Sequence, residues 1–287
     1  MPETVAPVSD AWTIEPRSLG PAARVREVWQ YRRMFVFFGQ RAVRKLYQKT
    51  VLGVAWIFLR PLIPLLVRVL VFGALLRVGD SLRVPYFLFL VVGTAAWELF
   101  ANSAMWATRS LELNGGILTR LYVPRVILPL ATMAPGFIYL AINLAVIALA
   151  LVYYRVADGV WYADGTWLIA APVAIVLIVA FAFAIGLFTS VLGAEARDVR
   201  FGLGYVLEFW VYLTPVVYPL GIVPGHTQWA VMLNPMAVLI TAFRGAILGG
   251  EGPTPWAWAS AVGIIVVLLV SGLVFFQRAE AEAIDNL

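Results

Sequence analysis

The strongest constraint on the fold of this chain is a series of long apolar stretches separated by charged or turn-forming residues. A helix needs about 20 mostly apolar residues to cross a bilayer. Six stretches reach roughly that length, at 51–76, 85–107, 126–154, 166–192, 199–217 and 255–276. The chain is 62% hydrophobic and only 13% charged, whereas a soluble domain has about 25% charged residues. We therefore predict an all-α integral membrane protein with six transmembrane helices.

The distribution of basic residues predicts which side of the membrane each end faces. With the N-terminus inside, 15 of the 21 lysines and arginines fall in cytoplasmic segments, and nine of these lie in residues 1–50. The four that fall in outer loops are Arg77, Arg83, Arg155 and Arg244. Basic residues accumulate on the cytoplasmic side of membrane proteins. The bias predicts that both termini face the cytoplasm and that the number of spans is even.

The N-terminal residues divide into a tail and a helix. Residues 1–23 are polar and rich in proline, without a cleavable signal, so we predict a disordered tail followed by a single transmembrane domain over 24–287. Residues 24–48 are too charged to cross the membrane but have helical periodicity. Their apolar stripe consists of Val28, Tyr31, Phe35, Phe38, Ala42 and Leu46. We predict an amphipathic interface helix with this stripe in the lipid and its basic side toward phosphates.

Residues 109–129 contain the elements of a short cytoplasmic helix. Asn114 and two glycines form an entry turn, and Pro124 ends the pattern. The apolar residues on one side of it are Ile117, Leu118 and Leu121. Apolar residues that face the cytoplasm are typical of a contact with a partner protein. An ordinary loop packed on the helix ends explains the pattern equally well, so the residues alone leave both interpretations open.

The outer stretch 218–252 is predicted to re-enter the membrane. Prolines at 219, 224 and 235 punctuate it, and 238–248 reads as an apolar helix too short to span. Because unpaired backbone cannot face lipid, re-entrant helices between spans five and six explain this segment better than an open loop does.

The sequence offers little enzymatic machinery. It has no cysteine, one histidine (His226) and no phosphate-binding P-loop. The acidic pairs Glu195 with Asp198 and Glu280 with Glu282 lie beside basic residues, which is typical of solvated loop charge. We therefore predict that the chain is not an enzyme and binds no metal or cofactor. Its net charge of +5 suits membrane lipids as partners rather than nucleic acid.

Charges inside spans need an explanation because each costs roughly 2.5–3.5 kcal/mol at the centre of an inserted helix. The predicted spans contain Arg60, Arg68, Glu98 and Glu208. These residues either line a water-filled pathway or pair across the bundle, with Glu98 or Glu208 as the partner of Arg60 or Arg68. The residues alone favour neither interpretation.

Aromatic side chains concentrate in and after the first and fifth spans. They are Trp56, Phe72, Tyr205, Phe209, Trp210, Tyr212 and Tyr218. The apolar C–H faces of sugar rings stack on aromatic faces, so such a cluster suits a polysaccharide conduit. Lipid-interface belts and core packing are the alternative for any single residue.

Four ordered motifs resemble one transporter family. Residues 47–56 (YQKTVLGVAW), followed by Arg60-Pro61-Leu62, resemble the start of the polysaccharide and polyol-phosphate export permeases of the type-2 ABC transporter class. Similar matches are Leu121–Arg125 with Leu128-Pro129, Arg197–Arg200 leading into Trp210–Pro219, and Leu233–Met236 with Phe243-Arg244. The motifs extend over some 200 residues. Arg60 and Glu208 depart from the neutral residues that the family often has there.

The resemblance implies that this chain is half of a transporter of the bacterial inner membrane. Two copies would form the pore, and two copies of a separate cytoplasmic ABC ATPase would bind the ATP and magnesium. The cargo would be a lipid-linked glycan such as an O-antigen, a galactan or a teichoic acid. The ATPase would dock on the residues Asn114, Ile117, Leu118, Arg120, Leu121, Tyr122, Pro124 and Arg125. The cargo pyrophosphate would be attracted by Arg32, Arg33, Arg41, Arg44 and Lys45.

Two rival functions remain at this point. An ABC exporter of a small amphiphile or lipid would have the same architecture but would not need the aromatic side chains. An ion-coupled secondary transporter that uses Glu98 or Glu208 would work without an ATPase, and it predicts inverted repeats that the sequence does not show convincingly.

Overall fold

The computed structural model describes residues 31–46, 48, 53, 55–118, 124–164, 166–250 and 252–285. All regular secondary structure in these residues is helical. The main helices are α1 Arg32–Lys45, α2 Ala55–Arg68, α3 Tyr86–Thr108, α4 Ser110–Leu118, α5 Ile127–Thr132, α6 Ala134–Ala157, α7 Trp167–Glu195, α8 Arg197–Leu213, α9 Gln228–Met232, α10 Pro235–Leu248 and α11 Pro255–Asp285. The predicted tail 1–23 lies outside the described residues.

Five helical segments in the described part of the chain are long and apolar enough to cross a membrane. They are Ala55–Leu75, Tyr86–Thr108, Ile127–Ala157, Ile169–Glu195 and Pro255–Ala279. Each coincides with a predicted span, and these five predictions are confirmed as helices of spanning length. The predicted fifth span corresponds to α8, which has only 17 residues and begins with the charged residues Arg197 and Asp198. The count of six spans therefore stays a prediction.

Two of the spans are not regular α-helices. The first contains Pro61 and Pro64 and passes at Val69 into a π-helical segment that ends at Leu75. The third is interrupted at Met133, between α5 and α6. Pro135 accounts for this interruption, because proline has no N–H and its ring clashes with the carbonyl four residues earlier.

Helix α3 is the centre of the bundle. In its most apolar 18-residue window 78% of the residues are buried, compared with 11% for the first span. Small residues let its neighbours approach closely, as membrane helices commonly require. A Cβ added at Gly136 of α6 would lie 3.1 Å from the Leu99 carbonyl oxygen of α3. The first span, in contrast, leaves most of its apolar surface uncovered by this chain.

A second hydrophobic cluster holds together the end of the bundle where α4 lies, which we call the α4 end. It joins buried residues of five helices: Phe38 of α1, Leu111 of α4, Ile127, Leu128 and Ala131 of α5, Leu187 and Val191 of α7, and Phe276 of α11. Phe38, Ala42 and Leu46 of the predicted lipid-facing stripe are buried in the protein. Phe35 of the same stripe is exposed, as are its neighbours Val36 and Phe37. Helix α1 thus packs on the bundle through part of the stripe that was predicted to enter lipid.

Candidate functional site

Helix α4 is a short element fixed to the bundle at several points. Leu111 is fully buried, and the buried Asn114 side chain donates a hydrogen bond to the Ser110 carbonyl at 2.8 Å. Asn114 therefore lies inside α4 and bonds within it, so the predicted entry turn at Asn114 is wrong. Glu112 and Gly116 lie on the exposed side. This arrangement holds α4 rigidly while leaving one of its faces accessible.

Helix α1 is connected to α4 by a lysine. The Lys45 ammonium donates a hydrogen bond to the Leu113 carbonyl at 3.1 Å. Burial lowers the pKa of Lys45 below its ordinary value, and the positive charges of Arg41 and Arg109 lower it further. The sequence predicted Lys45 as part of a basic surface, whereas the structure has it hydrogen-bonded between two helices.

Helix α4 is also connected to α8, through Glu112. Its carboxylate forms a salt bridge with Arg200 of α8 and has Arg109 at 3.8 Å. The sequence analysis missed this pair because Glu112 and Arg200 are far apart in the chain and share no spacing pattern. The sequence provides only a weak indication of this salt bridge, namely that each of the two charged residues lies next to the end of a predicted helix.

The predicted docking residues are described only in part. Arg120, Leu121 and Tyr122 lie outside the described residues, and the side chain of Leu118 does as well. Ile117, Pro124 and Arg125 are partly buried. The carbonyls of Pro124 and Arg125 accept hydrogen bonds from Ile127 and Leu128, and so begin α5.

The predicted basic residues of α1 occupy different environments. Arg32, Arg33 and Arg44 are exposed, and Arg41 is partly buried. The Nε of Arg41 is buried and, within the described structure, has no hydrogen-bond partner. Arg32, Arg33 and Arg44 are therefore the exposed members of the predicted basic set, whereas Arg41 and Lys45 are partly buried.

The predicted aromatic cluster divides between two sides of α8. Tyr205 is 65% exposed and Phe209 is 71% exposed, and both lie on the side away from the bundle. Trp210 points into the bundle, with ring centroids 5.5 Å from Phe100 and 6.0 Å from Phe181. The structure therefore does not bring all the predicted aromatics onto one surface.

The remaining aromatic residues lie nearer the first span or the outer segment. Tyr212 is exposed and stacks on Phe72 of the first span, with ring centroids 6.3 Å apart and planes inclined by 29°. Trp56 and Tyr218 are partly buried. The first span and α8 thus share an aromatic surface at Phe72 and Tyr212.

The four predicted intramembrane charges do not pair with one another. No salt bridge joins Arg60 or Arg68 to Glu98 or Glu208, all of which the structure describes. Glu98 accepts a hydrogen bond from the Asn102 side chain at 2.7 Å. Glu208 is exposed on α8. The Arg–Glu pairing across the bundle, one of the two interpretations left open by the sequence, is therefore not observed among these residues.

The two arginines of the first span differ in their partners. Arg60 lies near the Tyr139 side chain of α6 and interacts with it electrostatically. Arg68 faces Glu98 beyond salt-bridge distance, and its Nη1 is buried without a hydrogen-bond partner in the described structure. Both arginines thus direct their charge toward polar groups of neighbouring helices.

Arg244 lies on α10, in the outer segment that was predicted to re-enter the membrane, and its side chain is bonded inside the bundle. Its guanidinium donates to the carbonyls of Phe89 at 3.2 Å, Pro215 at 3.0 Å and Val216 at 3.0 Å. It also lies over the Phe89 ring, 3.7 Å from the centroid. Tyr86 adds a hydrogen bond to the Val217 carbonyl at 2.7 Å. Arg244 thus binds the segment that follows α8 to α3 and α10.

Comparison with known proteins places this architecture in a family. The ABC-2 type transporter family matches residues 34–248. An O-antigen export system permease protein RfbA from Myxococcus xanthus is 26% identical over 266 residues, which cover 92% of this chain and 98% of that protein. One from Klebsiella pneumoniae is 28% identical over 249 residues, covering 85% of this chain and 91% of that protein. Since the family match covers well over half of the 287 residues, this multi-pass protein of the bacterial inner membrane belongs to the ABC-2 type transporter family.

Proposed function

We propose that this chain is the membrane subunit of an exporter that moves a lipid-linked polysaccharide from the cytoplasmic side across the inner membrane. The observation that carries the proposal is the similarity, along nearly the whole length of both proteins, to O-antigen export system permease proteins. An O-antigen precursor is therefore the favoured cargo. The chain is a transporter subunit and not an enzyme, so ATP hydrolysis takes place in a separate ATPase chain that binds ATP and magnesium. The family match also argues against an ion-coupled carrier.

The proposed topology has six spans with both termini in the cytoplasm. The bias of basic residues supports this orientation and assigns the α4 end to the cytoplasmic side. The tail 1–23 precedes a single permease domain over 24–287. Helix α8 is the fifth span, and α9 and α10 form the re-entrant region between the fifth and sixth spans.

Two copies of the chain form the proposed pore. Support comes from the surfaces that one copy leaves uncovered. The first span exposes Leu66, Val67 and Leu70, and α8 exposes its aromatic side. A second copy and the surrounding membrane lipids would cover these surfaces, because an apolar surface of this extent is stable only in lipid or against protein.

The ATPase dimer is proposed to dock on α4, on residues 119–125 and on α1. The accessible side of α4 and its fixed position in the α4 end support this placement. Arg32, Arg33 and Arg44 of α1 are proposed to attract the pyrophosphate of the cargo lipid, since exposed basic residues at a membrane surface draw anionic head groups. The sugar rings then pass the exposed aromatic side of α8.

The experiment reconstitutes the purified chain with its ATPase in lipid vesicles. Lipid-linked O-antigen should stimulate ATP hydrolysis and appear on the opposite side of the vesicle membrane. Vesicles that contain the ATPase alone are the control. Absence of stimulation by any lipid-linked glycan would refute the proposal, and stimulation by small amphiphiles alone would favour the rival exporter.

A further inference from the structure

Helix α8 is attached at both ends and packs on the bundle mainly through its outer half, where Trp210 contacts Phe100 and Phe181. Only Leu207 and Val211 of its residues are buried. At its outer end, Asn234 donates to the Thr214 hydroxyl at 2.9 Å, and Arg244 holds the two carbonyls that follow. At its other end, Arg200 is bound to Glu112 of α4. No residue of α8 before Leu207 is buried, so a displacement of Arg200 would first move this less packed half of the helix.

The salt bridge between Glu112 and Arg200 is set into the packing of the helix ends. The Arg200 side chain is 13% exposed and that of Glu112 is 38% exposed. Gly193 of α7 leaves room for the arginine stem, because a Cβ there would lie 3.2 Å from the Arg200 Cγ and 3.4 Å from the Thr108 Cγ2. Because the aliphatic part of the Arg200 side chain is held in place, this partly buried ion pair stabilises the structure more than a solvent-exposed pair, whose contribution is small.

Helix α4 is rigid enough to transmit a displacement. Leu111 anchors it in the cluster that also holds α1, α5, α7 and α11. Lys45 binds its Leu113 carbonyl on the side of α1. Of the contacts that α4 makes in the described structure, the bridge from Glu112 is the salt bridge that leads to α8.

We propose that Glu112 and Arg200 are the positioning residues through which a movement of α4 is transmitted to α8. The inference rests on the proposed function, because it takes α4 as the docking site of the ATPase. ATP-driven movement of the docked subunit shifts α4, and the salt bridge draws the start of α8 with it. Since the outer end of α8 stays attached to Asn234 and Arg244, the helix tilts and its aromatic side changes position.

The test measures movement of α8 without any cargo. The chain has no cysteine, so Val206→Cys on the exposed side of α8 provides a single thiol in the complex with a cysteine-free ATPase. Addition of ATP should change the thiol-labelling rate. E112R and R200E should each reduce that response roughly tenfold, and the double variant E112R/R200E should restore it to within about twofold, because coupled pairs show interaction energies of this order.

Matched controls separate transmission from folding and docking. Glu195→Arg and Arg197→Glu make the same charge changes at exposed positions beside the start of α8, neither of which is in a salt bridge in the described structure. Both should keep the ATP response. All variants should co-purify with the ATPase and unfold at the wild-type temperature.

Two results would overturn the inference. The first is a response to ATP that is unchanged in the E112R and R200E variants, and a wild-type complex that shows no response to ATP counts equally against the inference. The other is a double variant that responds as poorly as the single variants although it folds and binds the ATPase. Glycan-stimulated hydrolysis by the wild-type complex is measured separately, so a failure of the proposed function is distinguished from a failure of the salt bridge.

Discussion

Arg244 carries a charge into an apolar part of the bundle, and the structure explains why it is tolerated there. Its partners are the backbone carbonyls of Phe89, Pro215 and Val216, which it contacts with three different nitrogens. A guanidinium presents five N–H donors in a planar fork, whereas a lysine ammonium is a compact point charge. Arg244 therefore provides hydrogen-bond donors to the carbonyls of Pro215 and Val216, which follow the end of α8 and lie outside its helical hydrogen bonds.

We expect Arg244→Ala and Arg244→Lys both to destabilise the protein, because each leaves buried carbonyls unpaired. An unsatisfied buried group costs about 1–3 kcal/mol, so Arg244→Ala should lower the free energy of unfolding by about 3 kcal/mol and Arg244→Lys by less. Thermal unfolding of the purified chain in detergent measures the effect. Arg83→Ala, at an exposed arginine, is the control. Equal unfolding temperatures for Arg244→Ala and Arg83→Ala would contradict the prediction.

The local role of a side chain follows from the sequence more readily than its distant contact partners do. In the structure Asn234 caps α10, because its side chain accepts a hydrogen bond from the Met236 N–H, which its residue type allows. The bridge between Glu112 and Arg200 could not be predicted, because nothing in the local sequence determines which distant charge a side chain meets. The three carbonyls that Arg244 binds could not be predicted for the same reason.

Among the elements, α8 has an exposed aromatic side and an opposite side that packs on the bundle. Replacing Tyr205, Phe209 and Tyr212 together by alanine should reduce glycan export strongly while leaving stability nearly unchanged, since these rings are exposed in the chain. Trp210→Ala should instead lower the free energy of unfolding by about 3–5 kcal/mol, because it empties a packed aromatic core. Export and thermal unfolding are measured on the same reconstituted samples.

The matched control for the aromatic side replaces exposed aliphatic residues of the same helix. Val206→Ala with Leu213→Ala removes exposed apolar surface but no ring. This variant should export glycan at the wild-type rate. If the triple alanine variant at Tyr205, Phe209 and Tyr212 exports as well as this control, ring stacking is not what α8 provides.

Element boundaries followed from the sequence where proline or charge determines them. Predicted and observed ends of the second span agree closely, 85–107 against Tyr86–Thr108. The π-helical segment Val69–Leu75 had no such signal, because its residues are ordinary apolar helix formers. The lipid-facing stripe of α1 was misassigned in part, at Phe38, Ala42 and Leu46. An amphipathic pattern shows that one side is buried but not whether lipid or protein buries it.

At the scale of the whole molecule, composition indicates a membrane protein, and the asymmetry of basic residues supports the proposed orientation. The number of spans depends on whether α8 crosses the membrane. Its 17 residues extend about 26 Å at 1.5 Å per residue, which is less than the roughly 30 Å hydrocarbon core. The irregular segment Thr214–Val217 would have to complete the crossing. Non-helical backbone is tolerated at that depth only where other groups satisfy it, and Arg244 and Tyr86 donate to its carbonyls.

We therefore expect the two ends of this region to lie on opposite sides of the membrane. Ala196→Cys, before α8, should react with a membrane-impermeant thiol reagent only from the cytoplasmic side, and His226→Cys, beyond Thr214–Val217, only from the outside. The natural chain contains no cysteine, so each variant reports a single position. Asp158→Cys, predicted to lie outside, is the control for the direction of labelling. Reaction of both test positions from one side would mean that α8 turns back within the membrane and that the chain has five spans.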